Sequence, residues 1–224
     1  MDALAVIWSP VRTLARVAEG RRVLLGFIVT VLYAVLSLFG SVIDALGGLT
    51  ASQFSPRNFP GLPPEFYESV PEVVSVALLI FAVVGAFVWW LLVSALMQLV
   101  TSFFGGAGPF SAMLAVVGVA SVPFVIQAAL QILLTGSQAA LGPESGATSV
   151  IGALTSLVGL AFLVWHVVLV VIGASFARRV GYGRSAGSCA ISCAGVVGLI
   201  LIVAIVVGIL IALLVAAAGS GGPS

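Results

Sequence analysis

Five stretches of this chain carry no Asp, Glu, Lys or Arg: Val23 to Ile43, Val73 to Val100, Phe110 to Leu134, Ser149 to Ala177 and Ala190 to Ala218. Each reaches the roughly 20 residues that a helix needs to cross a hydrocarbon core of roughly 30 Å. Strands would need alternating apolar and polar residues in pieces of about ten, and these runs are apolar all round. Backbone hydrogen bonds must therefore close inside each segment, as helices close them. The expected fold class is all-α: a polytopic integral membrane protein with five transmembrane helices in a bundle, preceded by a short N-terminal amphipathic interfacial helix. Residues 1–22 form the N-terminal segment, 23–218 the five-helix domain with a loop at 47–71, and 219–224 a tail.

Composition closes off the soluble alternatives. Hydrophobic residues make up 62% of the 224 and charged ones 7%, so lipid is the solvent for most of the chain. A net charge of +1 provides no field for nucleic acid or for an anionic substrate. All basic residues are arginine, and with much Ala, Gly and Val this suggests a GC-rich prokaryotic gene and a prokaryotic inner membrane. The two cysteines, Cys189 and Cys193, exclude a disulfide framework.

The arginines orient the chain. Arg12, Arg16, Arg21 and Arg22 precede the first span, and Arg178, Arg179 and Arg184 lie between the fourth and fifth, on the same side. Only Arg57 falls opposite, whereas Asp44, Glu65, Glu68, Glu72 and Glu144 all do. The positive-inside rule makes the N-terminus cytoplasmic and the C-terminal tail external. Ser9-Pro10 reads as a helix start with Ser9 as N-cap. Val11, Leu14, Ala15 and Ala18 then form an apolar face for the headgroup region, with Trp8 as anchor.

The loop at 47–71 interleaves Pro56, Pro60, Pro63, Pro64 and Pro71 with Phe54, Phe59, Phe66 and Tyr67. It reads as an interfacial cap on the bundle in preference to a lid, with a short surface helix beginning at Pro64. Between spans two and three, Gly105-Gly106-Ala107-Gly108-Pro109 reads as a tight turn, since no Lys or Thr stands in phosphate-loop spacing. Ser102-Phe103 before that turn and Ser175-Phe176 before the next suggest two related hairpins in parallel orientation. Span five carries small residues at Ala186, Ala190, Ala194 and Gly198, then at Ala204, Gly208, Ala212 and Ala216. Such a ridge suits close helix packing within one chain or in a homodimer. Cys189 and Cys193 read as part of that packing, because two thiols with no His or carboxylate nearby make a poor metal site.

Three blocks resemble a known family. They are Trp8-Ser9-Pro10-Val11-Arg12-Thr13-Leu14, Phe104-Gly105-Gly106-Ala107-Gly108-Pro109-Phe110 and Val117-Gly118-Val119-Ala120-Ser121-Val122-Pro123. In order along the chain they look like successive blocks of the Yip domain family, five-pass membrane proteins that in eukaryotes act at the Golgi and endoplasmic reticulum with Rab-type GTPases. The resemblance implies that architecture and structural roles for Gly105, Gly106 and Gly108 in the turn and for Pro123 in span three. The eukaryotic members' cytosolic Asp-Leu-Tyr-Gly-Pro motif has no counterpart in the twenty or so residues before the first span, so GTPase binding is not carried over.

His166 is the ionisable group well inside a span, where burial is expensive. Counting inward at about 1.5 Å per residue places His166, Ser121, Trp90 and Tyr33 near one mid-membrane level, each eleven residues from its cytoplasmic end. Pro123 leaves the carbonyl of Val119 without its helical partner. A polar cluster of Tyr33, Ser121, Pro123 and His166 is expected, with His166 bonding Tyr33, Ser121 or that carbonyl. It would either fix helix register or form part of a proton or solute path, and register is the favoured reading. Gln127 and Gln131 read as interhelical hydrogen-bonding residues. Ser121 and His166 lack a nucleophile elbow and an orienting acid, so no catalytic, cofactor or metal site is expected. The function expected is that of a non-enzymatic scaffold that organises membrane or binds a partner, the alternative being a small transporter or channel subunit around His166.

Overall fold

The computed structural model describes residues 3–57, 60–61, 64–141 and 146–219. Phe59 and Pro63 of the aromatic loop, Glu144 and the tail from residue 220 lie outside the described residues. The described elements are all helical: α1 (Ala5–Trp8), α2 (Pro10–Gly20), α3 (Val23–Leu46), α4 (Leu49–Gln53), α5 (Pro64–Phe103), α6 (Phe110–Ala120), α7 (Val122–Leu141), α8 (Gly146–Arg178) and α9 (Tyr182–Gly219). Among the described residues, four helical segments are long and apolar enough to cross a membrane: Val23–Leu46, Phe66–Phe103, Phe110–Leu141 and Val150–Arg178. The large apolar side chains they expose, such as Phe81, Leu133 and Leu157, are what lipid would cover.

Pro64 opens no separate surface helix. It begins the 40-residue α5, which continues through Pro71 to Phe103 and takes in the last third of the expected loop. The span from Phe110 is two helices, because Ser121 leaves the helical conformation (φ −83°, ψ 1°) two residues before Pro123. Proline donates no N–H and its ring crowds the carbonyl four residues earlier, so a break within the turn that precedes it is the expected response.

α6 is the core of the bundle. Met113, Val116, Val117 and Val119 are fully buried, and α6 is packed by α2, α3, α5 and α8. Glycines set how close those neighbours come. A Cβ on Gly118 would collide with Gly26 of α3, so the two backbones touch, and one on Gly173 of α8 would collide with Val116 Cγ1. Missing side chains at such crossings let dispersion contacts replace the hydrophobic drive that is weak between helices in lipid.

α2 is present, and its apolar face, with Leu14 and Val17, is buried against α6 and α8. Protein meets the face for which the sequence named the headgroup region. Trp8 is 85% exposed, and the Ser9 hydroxyl donates back to the carbonyl of Ala5 instead of capping α2. On α9, Ser185, Ser188, Cys189 and Ser192 face the bundle, whereas Ala186, Ala190 and Ala194 are exposed. The first half of the small-residue ridge thus points away from its own chain, and the side chains of its second half lie outside the description. Cys189 and Cys193 are unlinked, with their sulfurs 3.9 Å apart.

Candidate functional site

Two polar constructions stand out, one at the end of the bundle that holds the glycine-rich turn and one half-way along it. At the turn end, α2, α5 and α8 stop in the same way. Gly106 N donates to Thr101 O (2.9 Å) and Gly105 N to Ser102 O (3.1 Å); Val180 N donates to Ser175 O and Arg179 N to Phe176 O; Arg22 N donates to Val17 O and Arg21 N to Ala18 O. This paired pattern satisfies terminal carbonyls and requires a left-handed residue at its fifth position. That residue is Gly105 (φ +78°), Arg179 (φ +54°) and Arg21 (φ +46°). The helix ends before the two turns therefore match with Thr101 on Ser175, one residue out of the register that the Ser-Phe pairs suggested, whereas the turns themselves differ in length, six residues before α6 against three before α9.

Arg178, the last residue of α8, joins the turns. It is 4% exposed. Its Nε donates to Thr101 Oγ1 (3.1 Å), and its Nη2 to Ser102 Oγ (2.8 Å) and Gly106 O (2.6 Å). Nη1 donates to Gly108 O, which also accepts from Gln98 Nε2 (3.1 Å). The backbone repeats the link, since Ala107 N donates to Arg178 O (2.9 Å). The glycines make room for the clamp: a Cβ on Gly108 would strike Ala177 O, and one on Gly106 would lie 2.8 Å from Thr101 O and 3.2 Å from Arg178 Cβ. Gly105 is needed for its dihedral and Gly106 and Gly108 for space, while Pro109 starts α6 from an extended conformation (φ −74°, ψ 150°). Read in sequence, Arg178 is one of seven arginines on this side; in the structure it is the buried one, and Arg12, Arg16, Arg21, Arg22, Arg179 and Arg184 are exposed. No motif announces this, because its partners lie 70 to 77 residues away.

Half-way along the bundle, the break in span three frees a carbonyl. Phe124 N donates to Ser121 O (2.9 Å), three residues back, so the carbonyl of Ala120 loses its usual i+4 donor. His166 Nδ1, 3% exposed on α8, donates to that oxygen at 2.9 Å, which requires the proton on Nδ1. The imidazole also stacks on Phe124, ring centroids 4.4 Å apart, and Tyr33 lies beyond at 5.9 Å from Phe124.

The expected cluster is thus assembled in part. His166 and the Pro123 break meet, but through the Ala120 carbonyl, one residue on from Val119. Phe124, which no polar signal marked, stands between His166 and Tyr33. Ser121 turns its hydroxyl to its own helix at Val117 O (3.0 Å). Trp90, whose backbone was counted to the same level, donates to Leu114 O (2.9 Å), nearer the glycine-rich turn.

Among the described residues no group of three His, Cys, Asp or Glu is placed to hold a metal ion. No curated protein and no solved structure matches the chain. The Yip1 domain family model matches residues 4–205, which takes in α2, both turns and every residue of the two constructions, and the chain belongs to that family.

Proposed function

We propose that this chain is a five-span scaffold of a prokaryotic cell membrane, with its N-terminus and glycine-rich turns cytoplasmic, and that it works without catalysis by presenting those turns to a membrane-protein partner. The carrying observation is the Arg178 clamp. Four hydrogen bonds from one buried guanidinium hold two loops in fixed relation, and preorganised loops lose less freedom on binding. Around the clamp, Arg21, Arg22, Arg179 and Arg184 stand exposed as the chemistry a partner would read. The 38-residue α9 supports a fifth crossing, and the arginine-only basic set supports the orientation and the prokaryotic source. The outward ridge of Ala186, Ala190 and Ala194 supports contact with a second copy. His166, bonded to a backbone carbonyl and stacked on Phe124, fits the register role.

The test is photo-crosslinking in native membranes from position 183, where a side chain meets nothing within 4 Å. A reproducible protein partner, lost when Arg179 and Arg184 are both replaced by Glu, supports the scaffold. Capture of only lipid and the chain itself, or a partner indifferent to those charges, overturns it.

A further inference from the structure

A cleft of about 1040 Å³ opens on the side of the bundle between α3, α5 and α7. One wall is polar, with Tyr33, Ser37 and Ser41 on successive turns of α3 facing Gln131 and Thr135 of α7, and with Asp44 at the end remote from the glycine-rich turn. The other wall, on α5, is apolar, with Phe81 and Trp89 on either side of Gly85. From Tyr33 to Asp44 the polar wall runs about 16 Å at about 1.5 Å per residue, close to the depth of one leaflet of a roughly 30 Å hydrocarbon core.

The polar groups here differ from most hydroxyls elsewhere in the bundle, although Ser192 Oγ and Gln127 Oε1, outside the cleft, are also unpaired among the described residues. Thr30, Ser94, Ser121, Thr155 and Ser188 each donate to the carbonyl four residues earlier, the usual way a hydroxyl is satisfied in an apolar helix. Tyr33, Ser37, Ser41, Gln131 and Thr135 make no hydrogen bond within the described residues, and all five are half-buried along the cleft. Asp44 accepts one, from the hydroxyl of Thr50. Leaving five such groups toward hydrocarbon would cost about 1–3 kcal/mol each, so the cleft is built for something that brings both hydrogen-bonding atoms and apolar surface.

We propose that this cleft is a binding site for a single phospholipid bearing a primary ammonium headgroup, drawn from the leaflet at the Asp44 end. The ammonium sits on the Asp44 carboxylate, and the Ser41, Ser37 and Thr135 hydroxyls and the Gln131 amide, nearest to it along the wall, serve the phosphate and ester oxygens. The acyl chains lie against the α5 wall, along Leu78, Phe81, Ala82 and Trp89. Among the described residues Asp44 is the one charged residue lining the cleft and no basic residue lines it, which disfavours a purely anionic headgroup. A trimethylammonium group lacks the N–H donors for a charge-assisted bond to Asp44, which is about twice as strong as a neutral one.

The experiment is native mass spectrometry of the full chain released from bilayers with equal parts phosphatidylethanolamine, phosphatidylcholine and phosphatidylglycerol of matched chains. One phosphatidylethanolamine should be retained over phosphatidylglycerol by about tenfold, with phosphatidylcholine between them. Asp44→Asn should abolish the preference while a lipid is still retained, and Gly85→Phe should prevent retention. Ser156→Val on α8, outside the cleft, controls for general destabilisation, and thermal unfolding confirms that each variant is folded. Glycerophosphoethanolamine, which has the headgroup but no chains, should not displace the lipid; displacement would make the site one for a soluble amine and overturn the lipid assignment. Equal retention of the three lipids by the unaltered chain, or a preference that survives Asp44→Asn, would also refute it.

Discussion

Replacing Arg178 with Met removes a side chain of similar length and apolar stem and leaves its partners in place. Thr101 Oγ1 and Ser102 Oγ keep bonds to the carbonyls of Met97 and Gln98, and Gly108 O keeps Gln98 Nε2. Gly106 O loses its side-chain donor. Four bonds from a charged donor, at a net value of about 1.5 kcal/mol each or more, would be worth over about 6 kcal/mol. Returning the guanidinium to water on unfolding recovers several kcal/mol of that. A net loss of about 3 kcal/mol follows, and at roughly 2–4 °C per kcal/mol for a chain of this size Tm should fall by roughly 6–12 °C in nanodiscs. Arg178→Lys keeps the charge but offers donors from one point, which cannot span the four acceptors between Thr101 and Gly108, so it should fall between wild type and Met. A Ser102→Ala cycle should give a coupling of about 1 kcal/mol or more. The clamp is refuted if Met lies within about 2 °C of wild type, or if Lys equals Arg.

Three further outcomes follow from the same geometry. Gly173→Ala should cost about 1–3 kcal/mol because its Cβ strikes Val116 Cγ1, and Val116→Ala should recover part of it in the double variant; simple additivity in thermal unfolding would show that the helices do not meet there. Arg179→Gly should stabilise by about 0.5 kcal/mol, the left-handed strain of about 1–2 kcal/mol being offset by glycine's unfolded-state entropy of about 0.5–1 kcal/mol. The reverse sign is expected for Gly105→Ala, and a shared sign would contradict the assigned dihedrals. His166→Leu leaves the Ala120 carbonyl without its donor and should lower stability by about 1 kcal/mol, read from the urea midpoint; an unchanged midpoint would remove the register role.

What could be read in advance divides by the range of the interaction. Four of the apolar runs correspond to long apolar helices, because hydropathy over some twenty residues is a property of the chain alone. The place of His166 beside the Pro123 break followed from counting residues, yet its partner was missed by one carbonyl. Proline identifies the N–H that is lost, but the freed oxygen depends on where the neighbouring residues bend, and here Ser121 bends. Trp90 shows the same limit: its backbone depth was countable, whereas its side chain reaches Leu114. The face of α2 reads alike whether lipid or protein covers it, so only the packing on α6 and α8 decided. Arg178 was least visible of all. A basic residue at a helix end looks the same in sequence as Arg179 beside it, and the two are separated by a clamp whose other half is a turn 70 to 77 residues away.

The buried arginine also changes how the charge at that end of the molecule is felt. It lies at the C-terminal ends of α5 and α8, each equivalent to roughly half a negative elementary charge, so its field is largely neutralised where it stands. Shielded from ions, it is untouched by a Debye length of about 8–10 Å, whereas Arg21, Arg22, Arg179 and Arg184 are exposed to the full screening. Added salt should therefore weaken whatever those four attract long before it loosens the loops that display them.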